Sequence, residues 1–275
     1  MRDTLSTIDL AQWYTGASTY FFASLMTLVA LLIMVAIEMG VPHARAPSSE
    51  NAWFNVRYAV VMMALVAALR PLALVVALAV THALGAGWIT FAPSITGWCC
   101  AFLAVLVMTD LLEYLFHRAQ HTFPVLWRMH EFHHSAEHFD VTLAYRAFWV
   151  EPLLKMTFLY PLVGIVFKAS ASVALAVGFV SLAFQYVAHM NLRFSPRHFT
   201  LLIVHPQYHR LHHSRNERGY NKNLCALLPL WDILFGTLRR PERDEFVDVG
   251  LESCTAPGSV RQALLWPWRR DRQTG

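Results

Sequence analysis

The chain has 275 residues, 56% of them hydrophobic and 15% charged, with a mean hydropathy of +0.40. Soluble domains carry roughly 25% charged residues, so this composition excludes an ordinary soluble protein, and its apolar content excludes a disordered or fibrous one. The net charge of +4 is uneven, with four Lys/Arg against six Asp/Glu up to Phe116 and eighteen against twelve from His117 onward. The later basic residues alternate with apolar segments and form no nucleic-acid motif, so the expected partners are membrane lipids and not nucleic acid.

A membrane span needs about 20 apolar residues to cross roughly 30 Å of hydrocarbon. The charge-free stretch Thr19 to Ile37 meets that need and has no small-residue cleavage site, so it reads as a retained first helix. A polar loop, Pro42 to Asn51, follows. Trp53 to Leu69 and the charge-free run Pro71 to Thr109 divide into three further segments, with a turn expected at Arg70-Pro71 and another at the Gly85, Gly87, Pro93 and Gly97 patch. Beyond a histidine-rich stretch, His117 to His138, the apolar runs Pro152 to Phe167 and Ser172 to Met190 predict a helical hairpin. The remainder, Asn191 to Gly275, is polar, carries thirteen Lys/Arg and ends in an anchor-like Trp266-Pro267-Trp268.

These elements predict an all-α integral membrane bundle of about four segments plus the hairpin, with a histidine-rich catalytic cap. Residues 1–116 form the membrane part and residues 117–275 the catalytic region, including the hairpin at about 152–190. The positive-inside rule makes the cap and the C-terminus cytoplasmic. An even number of segments before His117 puts the N-terminus on that same side, and the loops holding Arg45 and Gly85 to Gly97 on the other. The four cysteines, Cys99, Cys100, Cys225 and Cys254, have no disulfide-framework or zinc spacing.

Histidine carries the chemical signal, since nine of fourteen fall into short clusters. His117 and His121 in HRAQH share a helix face at i and i+4, together with Asp110 and Glu113. HEFHH supplies His130, His133 and His134; HRLHH supplies His209, His212 and His213; Gln185 and His189 are again four apart. Imidazole ligates iron, zinc, copper and nickel in its neutral form. A structural zinc takes four ligands, so nine clustered imidazoles predict more than one metal. A single histidine near a membrane interface is ordinarily a solvated or pH-responsive group, but three boxes plus His189 on one predicted face exceed that pattern.

His130-Glu131-Phe132-His133-His134 also satisfies H-E-x-x-H, so an intramembrane zinc metalloprotease using positions 130–134 is the alternative. The HRLHH box has Arg210 in place of the Glu, while both satisfy H-x-x-H-H, which accounts for more residues. A di-iron carboxylate site needs Glu-x-x-His twice, and only one copy exists. A metal transporter or sensor is the non-enzymatic reading. His43, His82 and His198 have no partner at ligand spacing, and His138 and His205 lie just outside the boxes; all five read as bystanders.

The succession of DLLEYLFHRAQH from Asp110, LWRMHEFHHS from Leu126, a hairpin, HRLHHS from His209 and WDILFGT from Trp231 resembles the sterol desaturase/fatty acid hydroxylase superfamily. HHSAEHFDVTLAYR, FQYVAHMN and HHSRNERGYNKN are similar to its alkylglycerol-monooxygenase-like branch. The resemblance implies a helical membrane bundle with a cytosolic cap holding two irons between the boxes. By it, His117, His121, His130, His133, His134, His189, His209, His212 and His213 are the metal positions, and Gln185 is a ligand or a partner of one. Many bacterial members carry Arg-Phe-His-Pro-x-Glu after the second box. Here Arg146 and Glu151 are kept and the His-Pro is not.

Breaking an unactivated alkyl C–H bond is beyond any side chain, so a redox metal must carry it. The expected activity is O2-dependent hydroxylation or desaturation of a sterol, fatty acyl or alkyl lipid. No fused haem or flavin fingerprint is visible, so the reductant is expected to be a separate electron-donor protein or a reduced pterin. Asp110, Glu113 and Asp232 are expected to accept imidazole N–H bonds, and Asp232 with Gly236 is equally suited to fixing a tight turn.

Overall fold

The computed structural model describes residues 10–41, 48–193, 199–216 and 219–269, with side chains from Ala23 onward. His43, Arg45 and His198 lie outside the described residues. The helices are α1 (Leu10–Met39), α2 (Ser49–Leu84), α3 (Ile95–Thr122), α4 (Pro124–His134), α5 (Val150–Leu154), α6 (Tyr160–Val166), α7 (Ala171–His189), α8 (Pro206–His212), α9 (Leu230–Leu234) and α10 (Val260–Leu264). The all-α expectation holds, because the only sheet among the described residues pairs two-residue strands, β1 (Ile89–Thr90) and β2 (Phe167–Lys168).

Three helices, α2, α3 and α7, are long and apolar enough to cross a membrane. Each begins at a serine whose side chain accepts a backbone N–H of the first turn: Ser48 from Asn51, Ser94 from Gly97 and Ser170 from Val173. Such a cap satisfies one of the four N–H groups left orphaned at a helix start.

The turn expected at Arg70-Pro71 does not occur, since α2 runs unbroken through Pro71. Proline there removes one backbone hydrogen bond. Packing overrides the loss: Met62, Met63, Val66 and Ala67 before it and Ala73 and Ala77 after it are all buried along one helix. Two helices therefore replace the three segments expected between Trp53 and His117.

The end of α1 and the start of α2 also lie at a different end of the bundle from that expected. Glu38 accepts the backbone N–H groups of Val141 and Asn191, and Asn51 donates to Asp140 at 2.8 Å. The two ends flanking residues 42–47 thus both meet the histidine-bearing cap. The far end is closed by the parallel pairing of Ile89 with Phe167 and Thr90 with Lys168. Gly87, at φ +69°, permits this approach, because a Cβ there would sit 2.8 Å from Lys168 Cβ.

A core of Phe54, Tyr58, Met62, Met63 and Val66 on α2 holds the cap through Phe132, Phe148 and Trp266. Trp266 is buried against Phe132, so of the expected aromatic anchor only Trp268 stays exposed. A second cluster of Ala101, Val105, Val173 and Val177 joins α3 to α7. Arg146 is fully buried, donating to the Phe132 carbonyl, Asn55 and Ser135, and so ties the second histidine box to α2.

Candidate metal centre

The nine clustered histidines fall into two groups. His117, His121, His130, His134 and His212 form one, and His133, His189, His209 and His213 the other, with one ring nitrogen per residue lying within 4.8 Å of the rest of its group. Helical spacing explains the split. In each H-x-x-H-H box the i and i+4 residues share a face and enter one group, while the i+3 residue faces the other. His130 and His134 of α4 are thereby joined by His212, and His209 of α8 and His213 at its C-terminal end by His133.

Backbone carbonyls orient several rings. His117 Nδ1 donates to Leu224 O at 2.7 Å, His212 Nδ1 to Lys222 O at 2.9 Å, and His189 Nδ1 to Gln185 O at 2.8 Å. This fixes the tautomer that leaves Nε2 as a lone-pair donor, the usual arrangement behind a metal-bound imidazole. Among the described residues, Nε2 of His117, His121, His134 and His212 is buried without a hydrogen-bond partner. In the second group His189 Nε2 lies 3.0 Å from His209 Nε2 and 3.4 Å from His133 Nε2, and His209 Nε2 lies 3.3 Å from His213 Nε2. Lone pairs that converge with no donor between them suit a cation in each group.

Burial holds the rings neutral. It pushes His130, His133, His134, His209 and His213 well below the usual imidazole range, reinforced by neighbouring histidines, and lowers His212 to about 4. Neutral imidazole is the ligating form.

The acidic residues expected beside the rings do other work. Asp110 accepts the N–H groups of Leu227 and Leu228 and of the Trp231 indole at 3.1, 3.1 and 2.9 Å, pinning the cap loop to α3. Glu113 pairs with Lys155 Nζ at 2.5 Å and accepts Tyr160 OH at 2.7 Å. Asp232 accepts Leu224 N, Cys225 N, Tyr208 OH and Thr237 Oγ1, and Gly236 closes the following turn at φ +72°. Asp232 therefore fixes a turn, and through Leu224 it also orients His117. The Gln185 side chain donates to Ala144 O at 2.6 Å.

Sequence reasoning gave Glu151 no role, yet its Oε2 lies 3.5 Å from His130 Nδ1 and accepts Gln120 Nε2 at 2.5 Å. Its survival in an otherwise altered Arg146-to-Glu151 segment was the available signal. The carbonyls of Lys222 and Leu224 had none, because backbone acceptors leave no trace in residue type. Glu131 of the H-E-x-x-H pattern is buried, pairs with Arg269 at 3.3 Å and does not line the cavity between α3, α6 and α7. His205 caps α8 and meets Thr200 at 2.9 Å, while His82 and His138 are exposed, consistent with the bystander reading.

A cavity of about 700 Å³ runs from His117, His130, His133, His189 and His209 between α3, α6 and α7 to Val105 and Phe167 near the far end. Val105 to Gln120 on α3 spans ~22 Å. Gly164 and Gly178 line the cavity, are exposed, and a Cβ built on either meets no atom within 4 Å, so the slot opens to the outside of the bundle there.

The fatty acid hydroxylase family profile matches residues 102–237, which hold all nine clustered histidines. An alkylglycerol monooxygenase of Danio rerio is 31% identical over 150 residues, 54% of this chain and 32% of its own length. An ornithine lipid hydroxylase of Rhizobium tropici is 31% identical over 179 residues, 63% of this chain and 52% of its own length. A very-long-chain aldehyde decarbonylase of Oryza sativa subsp. indica is 30% identical over 158 residues, 52% of this chain and 24% of its own length. The chain thus spans between a quarter and about half of these relatives. No solved structure matches it significantly. These matches, laid over the two histidine groups, place residues 102–237 in the fatty acid hydroxylase family.

Proposed function

We propose that this chain is a membrane-bound non-haem di-iron oxygenase that uses O2 to hydroxylate, or desaturate, an alkyl C–H bond of a lipid drawn from the bilayer. The observation that carries the reading is the meeting of two converging imidazole groups with one end of an apolar slot that opens to the outside of the bundle. Relatives named as lipid monooxygenases and hydroxylases support it.

His117, His121, His130, His134 and His212 would hold one iron, and His133, His189, His209 and His213 the other. Bound there, the pair supplies the O2-dependent oxidising power that side chains lack. The residues of the chain supply placement. Lys222, Leu224 and Gln185 carbonyls set the tautomers of three rings, Gln120 and Glu151 brace His130, and the slot lays an alkyl chain against the histidines with water excluded. The helices of residues 1–116 and the catalytic region 117–275 act as one unit. The thirteen Lys/Arg after Met190 put the cap on the cytoplasmic side, where a separate donor protein or a reduced pterin would supply electrons.

The zinc metalloprotease alternative requires Glu131 as general base at the metal. Its pairing with Arg269, away from the slot, disfavours that role.

Metal analysis of detergent-purified protein from iron-supplemented cells tests the proposal. About two irons per chain are expected, with loss of at least one in a His209→Ala, His213→Ala variant. One zinc retained in that variant would overturn the di-iron reading.

A further inference from the structure

The slot wall carries three polar side chains that the metal site does not use. Glu113 of α3, Lys155 and Tyr160 all line the cavity. Lys155 Nζ donates to Glu113 Oε2 at 2.5 Å and Tyr160 OH to Glu113 Oε1 at 2.7 Å. An ionisable pair at membrane depth is costly and ordinarily faces a cavity or a partner.

A local break in helical geometry assembles this trio. Between α5 and α6 the segment Lys155–Leu159 forms one π-turn, closed by the N–H of Tyr160 to the carbonyl of Lys155. In an α-helix, residues five apart point about 140° away from each other; an i→i+5 turn returns them to one face. Pro161 is the cause at sequence level, because it has no N–H to give Thr157 O and its ring crowds that carbonyl. A regular helix would send Tyr160 away from Glu113.

We propose that Glu113, Lys155 and Tyr160 form a polar clasp that binds the neutral, oxygen-bearing head or linkage of the lipid while its alkyl chain lies along the slot. The chemistry selects this class. Glu113 and Lys155 together are neutral, and they offer a strong acceptor beside a strong donor. A hydroxyl or a secondary amide bridges them without adding charge, donating to Glu113 and accepting from Lys155, and an ether or ester oxygen accepts from Lys155 alone, whereas a carboxylate or an ammonium would leave an excess charge in a low-dielectric wall. A plain alkane leaves the clasp idle. Glu151, one turn toward the cap, is engaged by Gln120 and faces His130, so it does not compete for this role. The inference rests on the reading of the cavity as a lipid slot.

The test is displacement of a fluorescent hexadecyl probe from detergent-purified protein by hexadecan-1-ol, hexadecane or hexadecanoate, a readout independent of turnover. Hexadecan-1-ol should compete about tenfold better than the other two, the worth of one or two hydrogen bonds to a charged pair. In a Glu113→Gln, Lys155→Met double variant that preference should fall to within about twofold while hexadecane competes as in the wild type, which shows the slot intact. Tyr160→Phe, which leaves the ion pair in place, should lose about threefold of the preference and serves if the double variant does not fold. Preference unchanged in either variant, or absent from the wild type while all three chains still compete, overturns the clasp and leaves the slot standing. Failure of every chain to displace the probe overturns the slot and the clasp together.

Discussion

Asp232 shows how far from a ring a side chain can act on it. Fully buried, it takes four donors from the loop at Leu224, from Tyr208 and from Thr237, and that loop presents the carbonyls that hold His117 and His212. Asp232→Ala leaves several buried donors unsatisfied and should cost about 3 kcal/mol or more. It should also release part of the bound metal, as loss of a group orienting a ligand does. Thermal unfolding and metal content of one preparation check both; full metal with only a lower melting temperature would confine Asp232 to the turn. The nine histidines were legible because residue type and i, i+4 spacing suffice to find them. Their partition into five and four, and the true partners of Asp110 and Glu113, depend on how α4 and α8 face each other, which no local spacing encodes.

At the scale of elements, α2 and the Lys155–Tyr160 turn treat proline in opposite ways. Pro71 is absorbed into an unbroken helix because apolar faces on both sides of it stay packed, whereas Pro161 follows a π-turn whose displaced side chains find Glu113. Pro71→Ala restores a backbone hydrogen bond within α2 and should stabilise the protein by about 1 kcal/mol, part of the proline penalty having been met by packing. A fall in apparent melting temperature would argue that Pro71 shapes a bend the bundle needs. The sequence pattern suffices for the apolar segments and for the hairpin. It placed a turn at Arg70-Pro71 because the local rule is sound and tertiary packing, invisible locally, outweighs it.

The whole molecule gathers nine imidazoles in one buried centre between cap and bundle, and that makes its stability depend on pH. Burial lowers the histidines of α4 and α8 below their ordinary values, with His212 at about 4 and His130, His133, His134, His209 and His213 well below 6.5. The unfolded chain takes up protons near pH 6.5 and the folded chain only at lower pH. The unfolded state therefore binds more protons across that window, and stability is lost as pH falls through it. Metal-free protein should accordingly melt at least roughly 5 °C lower at pH 5 than at pH 7. Iron-loaded protein should hold its melting temperature further into acid, because protons must first displace the metal. Melting curves of both forms from pH 7.5 to 4.5 decide the matter, and a flat profile for the metal-free form would mean that the histidine centre already admits water and protons at pH 7.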